Sequence, residues 1–65
     1  MTLDLYLARN GITETAFAAL IGTSQPNVHR IRNGQIPGRD LMGLIYIKTG
    51  GQVTANDFYG IGEDA

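Results

Sequence analysis

Apolar residues recur three and four apart along most of the chain, in short clusters that glycines interrupt and that threonine or serine often precedes. This is the helical period with its start and stop signals, and no stretch alternates well enough to predict a strand. Thr2 is placed to cap a first helix over about Leu3 to Arg9, with Leu3 and Leu7 on one face and Gly11 set to end it in the left-handed conformation. Thr13 caps a second helix from Glu14 to Ile21, and Ile12 and Phe17 have the spacing of a hydrophobic staple across its start. Phe17, Ala18, Leu20 and Ile21 form its expected apolar stripe, with the small Ala18 suited to a close helix crossing.

Gly22 follows at once, where positive φ is easiest for glycine, and Ser24 can cap the next helix, so the turn Gly22-Thr23-Ser24 is short. Pro26 supports a helix start, because a backbone N–H in the first turn has no intrahelical acceptor to lose. At ~100° per residue, Val28 and Ile31 share one side of this third helix, over residues 25–33. Pro26, His29, Arg30 and Asn33 lie opposite, Gln25 sits at the N-terminal edge, and Asn27 and Arg32 flank the two faces.

Asn33-Gly34 stops that helix, and a short loop containing Pro37 leads to a fourth, from about Arg39 to Thr49, which Gly50 and Gly51 terminate. Thr54 with Asp57 reads as a capping box and Val53 with Phe58 as a second staple, predicting a short fifth helix near Ala55 to Tyr59. Residues 61–65 are expected to fray. Residues 1–60 then form one all-α domain of five short helices, without internal repeats or low-complexity segments.

At 65 residues the chain lies near the lower limit for a core that holds without disulfides, metals or a partner, and a dimer would relieve that marginality. The absence of cysteine excludes a disulfide framework and a thiolate metal site and fits a reducing compartment. With no signal pattern and no apolar run near the roughly 20 residues of a membrane span, the expectation is a cytoplasmic protein. The formal net charge of -1 is unusual for a nucleic-acid binder. Its distribution changes that picture: no acid falls between Glu14 and Asp40, whereas His29, Arg30, Arg32 and Arg39 do, so one face is expected to be positive.

Two short helices joined by a glycine-centred turn over residues 14–33, the second bearing His29, Arg30, Arg32 and Asn33, read as a DNA-binding helix-turn-helix. With Ala18, Gly22, Val28 and Ile31 at its scaffold positions, the chain resembles the Cro/CI (XRE) helix-turn-helix family of phage and bacterial repressors. Ile36-Pro37, Asp40, Thr49-Gly50-Gly51, Val53-Thr54 and Asp57-Phe58 look like its small Cro and YdaS-like branch. The resemblance implies a lambda-repressor-like fold whose third helix enters the major groove, with Gln25, Pro26, His29, Arg30 and Asn33 toward the bases. The helical wheel gives the same face. Thr13, Thr15, Thr23, Ser24, Asn27 and Arg32 are the expected backbone contacts; the family often has glutamine where this chain has Glu14, a departure at one phosphate contact. A phage-like regulator of this kind would act in a bacterial or phage-infected cell.

Plainer readings stand beside this one. Arg30 and Arg32 also fit a solvated pair favoured by the helix dipole, Gln25 and Asn33 fit ordinary helix ends, and Ser24 is a cap before it is a phosphate contact. A lone histidine without cysteine gives no support to a metal, no cofactor motif is present, and no nucleophile with its acid and base is arranged for catalysis, so an enzyme is not expected. The fourth helix is apolar almost all round. Either helices one and five wrap it, or Leu44, Tyr46 and Ile47, with Phe58 and Tyr59, form a homodimer interface. The functional expectation is a transcriptional regulator, a repressor occupying an inverted-repeat operator in double-stranded DNA. The alternative is a protein-binding module, an antitoxin or phage-type inhibitor, using the apolar helix 39–49.

Overall fold

Side-chain caps start three of the helices in the computed structural model, which describes residues 1–59. Thr2 Oγ1 accepts from the Leu5 N–H at 3.2 Å, Thr13 Oγ1 from Ala16 at 3.1 Å and Ser24 Oγ from Asn27 at 3.4 Å. Five helices result: α1 (Leu3–Asn10), α2 (Glu14–Ile21), α3 (Gln25–Arg32), α4 (Arg39–Lys48) and α5 (Ala55–Tyr59), with no strand among the described residues. The boundaries differ from those expected by a residue at three ends. Asn10 joins α1, while Asn33 and Thr49 become the caps that follow α3 and α4. The expected domain end at 60 and the tail 61–65 lie outside the described residues.

Gly22 adopts φ 73°, and its N–H returns to the Ala18 carbonyl, so α2 stops and the chain reverses within three residues into α3. That turn brings α2 and α3 into the most extensive helix contact of the fold, and α4 packs against α2 as well. Phe17 is at the centre with no exposed surface, edge-on to the Tyr6 ring at 6.3 Å between centroids. Leu3 and Leu7 of α1, Ala18 and Ile21 of α2, Val28 and Ile31 of α3, Ile45 of α4 and Val53 complete the core. Ile12 and Phe58 pack against it, as their staple positions predicted.

Leu20 departs from the expected stripe, being 49% exposed. Phe17, Ala18 and Ile21 already define the face that α3 and α4 cover, and Leu20 lies ~100° around the helix from the middle of that face. On α4 the inward side is Ile45, with Leu41 and Met42 half-buried. Helices α1 and α5 do not wrap the rest: Leu44 and Tyr46 are exposed, and Ile47 is 69% exposed. Phe58, expected at a dimer interface, instead turns onto the core because its staple with Val53 draws it there, whereas Tyr59 stays outside.

Thr49 closes the junction after α4. Its buried hydroxyl donates to the Ile45 carbonyl at 2.8 Å and accepts from the Val53 N–H at 3.1 Å, satisfying two groups that burial would otherwise leave unpaired. At the start of α5, Asp57 Oδ2 accepts from the Thr54 N–H at 2.8 Å, the Thr54 hydroxyl at 3.0 Å and the Met1 ammonium at 3.0 Å. The carboxylate half of the capping box is thus present, and the threonine hydroxyl donates to the carboxylate rather than receiving its N–H.

Burial acts to raise the Asp57 pKa, but the Thr54 N–H, the Met1 ammonium and the Thr54 hydroxyl outweigh it and hold the carboxyl below its ordinary 3.8. A lowered native value stabilises the fold above the unfolded-state pKa, and the contribution disappears as pH falls through the native one. Asp57→Asn is therefore expected to lower the melting temperature at pH 7 and to converge on the parent as pH falls below 3.8 through the lowered native value. Melting curves from pH 2 to 7 check this, and a deficit independent of pH would contradict it.

Candidate nucleic-acid interface

Helix α3 divides as its periodicity requires. Val28 and Ile31 are buried, while Pro26, His29, Arg30 and Asn33 are exposed on the outer side and Gln25, Asn27 and Arg32 are half-buried along its margins. Pro26 lies in the first turn. Thr13, Thr15 and Ser24 are exposed at the start of α2 and in the turn, and Thr23 is half-buried, its Oγ1 accepting from Asn27 Nδ2 at 2.9 Å. The residues expected to meet bases and those expected to meet phosphates therefore lie on α3 and on the N-terminal end of α2 beside it.

A carboxylate unites this surface. Glu14, the first residue of α2, accepts from Gln25 Nε2 at 2.6 Å through one oxygen and from His29 Nδ1 at 3.0 Å through the other, with Arg32 Nη1 at 3.5 Å. His29 Nε2 in turn lies 3.2 Å from Asn33 Nδ2, which also donates to the His29 carbonyl at 2.8 Å. The hydrogen bond from His29 and then that from Gln25 lower the Glu14 pKa against the opposing effect of burial, and the charges of His29 and Arg32 assist. Glu14 is ionised at neutral pH.

Arg32 is held twice. Its Nε donates to Asp4 Oδ1 of α1 at 2.5 Å while Nη1 reaches Glu14, and the Asp4 bond first among these raises the Arg32 pKa above its already high ordinary value. The side chain is 30% exposed. This guanidinium braces α1, α2 and α3 together and is less available to a phosphate than its place in the sequence implies. Arg30 has no ion pair among the described residues and extends from the exposed side.

These contacts revise the expected electrostatics. The acid-free segment between Glu14 and Asp40 implied a positive face, but folding brings Asp4 and Glu14 onto α3, where they offset Arg32 and leave Arg30 as the arginine of α3 without an ion pair among the described residues. Residues eleven and fifteen positions apart join Glu14 to Gln25 and His29. The signal for this was the pairing of the first residues of two helices across a three-residue turn; its specific contacts depend on the helix crossing, which sequence spacing does not give.

The surface presents amide and guanidinium groups of the kind that pair with base edges, on a helix whose width fits a major groove about 12 Å across. Among the described residues no group of three His, Asp or Glu side chains is gathered to hold a metal, and no helix is long and apolar enough to cross a membrane. No family model, no curated protein and no solved structure matches the chain.

Proposed function

We propose that this chain binds double-stranded DNA sequence-specifically and acts as a small transcriptional regulator, a repressor working by operator occupancy. The observation that carries this reading is the two-sided α3: it is fixed by Val28 and Ile31 within the core and held at its start by the Gly22 turn, while His29, Arg30 and Asn33 sit together on the side away from that core with Gln25 at its edge. The resemblance to the Cro/CI family supports the same docking, with α3 in the major groove. The chain carries no catalytic role in this reading and takes no cofactor; its setting is the cytoplasm of a bacterial or phage-infected cell.

Arg30 suits guanine O6 and N7, and Gln25 suits adenine N6 and N7. Thr13, Thr15, Ser24 and backbone N–H groups at the start of α2 are the positioning contacts, because Thr23 and Asn27 bond each other and Arg32 is engaged by acids. So few phosphate contacts make the salt dependence shallow, since each contributes about 0.9 to the logarithmic slope. Selection from a randomised duplex pool tests the function: an enriched site supports it, and recovery no better than with an Arg30→Ala, Gln25→Ala double variant rejects it.

A second copy of the chain is the occupant proposed for the open face of α4. Exposed Ile47 stands on the same helix as a hollow of about 380 Å³ lined by Met42, Gly43, Tyr46, Thr54, Ala55 and Asn56, so the face offers both an apolar projection and a recess to a two-fold mate. The domain, measuring 32 × 24 × 21 Å, is of a size at which paired copies can set their α3 helices about one duplex turn, 34–36 Å, apart. Ile47→Asp is expected to abolish dimerisation and to weaken binding to a two-half-site duplex far more than to a single half-site. Sedimentation of the parent protein as a monomer at high micromolar concentration, with and without DNA, would reject the dimer.

The exposed Leu44, Tyr46 and Ile47 also favour a second reading, a protein-binding module of antitoxin or inhibitor type. Its distinguishing pattern is loss of function with Ile47→Asp and indifference to Arg30→Ala.

A further inference from the structure

We propose that Glu14 is a positioning residue that sets the hydrogen-bond polarity of the α3 reading face, turning Gln25 toward adenine and Asn33 toward a base that donates, at the expense of overall DNA affinity. The proposal rests on the DNA-binding reading above and concerns which bases that site accepts.

An ionised carboxylate accepts hydrogen bonds and donates none. The Gln25 amide nitrogen, not its oxygen, therefore faces Glu14 Oε1 at 2.6 Å. One N–H is engaged there, and the oxygen with the second N–H forms the remaining edge of the amide. That edge is an acceptor beside a donor, the complement of adenine N6–H and N7 in the major groove. A glutamine freed from Glu14 can rotate its amide end for end and loses this fixed order.

The same logic runs through His29. A proton on Nδ1 is required by Glu14 Oε2 at 3.0 Å, so in the neutral ring Nε2 is an acceptor, matched to Asn33 Nδ2 at 3.2 Å. Asn33 gives its other N–H to the His29 carbonyl at 2.8 Å, which engages both amide hydrogens and leaves Oδ1 as the acceptor without a partner among the described residues. Oδ1 accepts from cytosine N4–H or adenine N6–H and meets guanine O6 or thymine O4 unfavourably. Arg30, outside this network, is the donor of the face. Near the duplex Glu14 also repels phosphate and, with Asp4, holds Arg32 back from it, so fixed side-chain order and reduced attraction to any DNA arise from one group.

The test compares parent protein, Glu14→Gln and Gln25→Ala by selection from the same randomised duplex pool at pH 7.5, together with ¹⁵N correlation spectra of the histidine ring without DNA. The parent is expected to enrich a site with adenine at a position whose preference Gln25→Ala removes, and its His29 ring to be protonated on Nδ1. Glu14→Gln is expected to lose at least about fivefold of that adenine preference, the lower end of what a bidentate pair provides, while binding unrelated duplex more tightly and showing mixed ring tautomers. Glu14→Ala serves in its place if the glutamine variant melts early. An unchanged adenine preference and an unchanged tautomer in a folded Glu14 variant overturn the proposal and leave the DNA-binding reading standing. A parent protein that enriches no site removes that reading, and this proposal with it.

Discussion

Phe17→Ala is expected to leave most of the chain unfolded at 37 °C. Phe17 is wholly buried in a core to which α1, α2, α3 and α4 all contribute, and its ring lies edge-on to Tyr6. Truncating a buried phenylalanine costs about 3–5 kcal/mol, combining lost transfer energy with the cavity that remains. A domain of 65 residues has only about 3–10 kcal/mol in total, at roughly 0.05–0.15 kcal/mol per residue. The loss is thus comparable with the whole stability. Urea unfolding followed by circular dichroism measures it, with Leu20→Ala as the control on the same helix, expected within about 0.5 kcal/mol of the parent because that side chain is half in water. Equal midpoints for the two variants would contradict the placement of the core.

Arg30→Ala is expected to lower affinity for the selected DNA site by about 1–3 kcal/mol, roughly 5- to 150-fold, with stability nearly unchanged. The guanidinium has no ion pair among the described residues, so its removal breaks no internal contact of that kind and forfeits only a modest interaction with the helix dipole. Arg32→Ala should behave in the opposite way: it frees Asp4 and Glu14 from a shared cation, lowering stability, and has the smaller effect on DNA binding. Fluorescence anisotropy on a labelled duplex and thermal melts of both variants separate the two roles. Similar affinities for the Arg30 variant and the parent would move the function to α4.

The local grammar of this chain was legible because it is made of short-range chemistry. Threonine or serine before each of the first three helices, glycine after the first two, and Val28 with Ile31 one turn apart are decided within a few residues, and the helices form where these signals stand. Leu20 lies outside the buried stripe because an eight-residue helix offers an apolar side chain several neighbouring faces and the crossing partners choose among them. The open side of α4 was undecided for the same reason. The composition of that helix is compatible with burial on both sides, and only the placement of α2 fixes Ile45 inward and Ile47 outward.

The candidate site divides along similar lines. Which side chains share the outer side of α3 follows from helical periodicity. That Glu14 would hold Gln25 and His29, and that Asp4 would reach across from α1 to Arg32, follows from the angles between helices. The stretch between Glu14 and Asp40 is free of acids in sequence, but the fold brings Asp4 and Glu14 back onto it.

Titration of ¹⁵N-labelled protein with the selected duplex, followed by its amide and side-chain resonances, shows whether the outer side of α3 meets DNA. The largest shifts are expected at Gln25, His29, Arg30 and Asn33, with smaller ones at Thr13 and Thr15. Shifts concentrated at Leu44, Tyr46 and Ile47, with α3 unmoved, would contradict this.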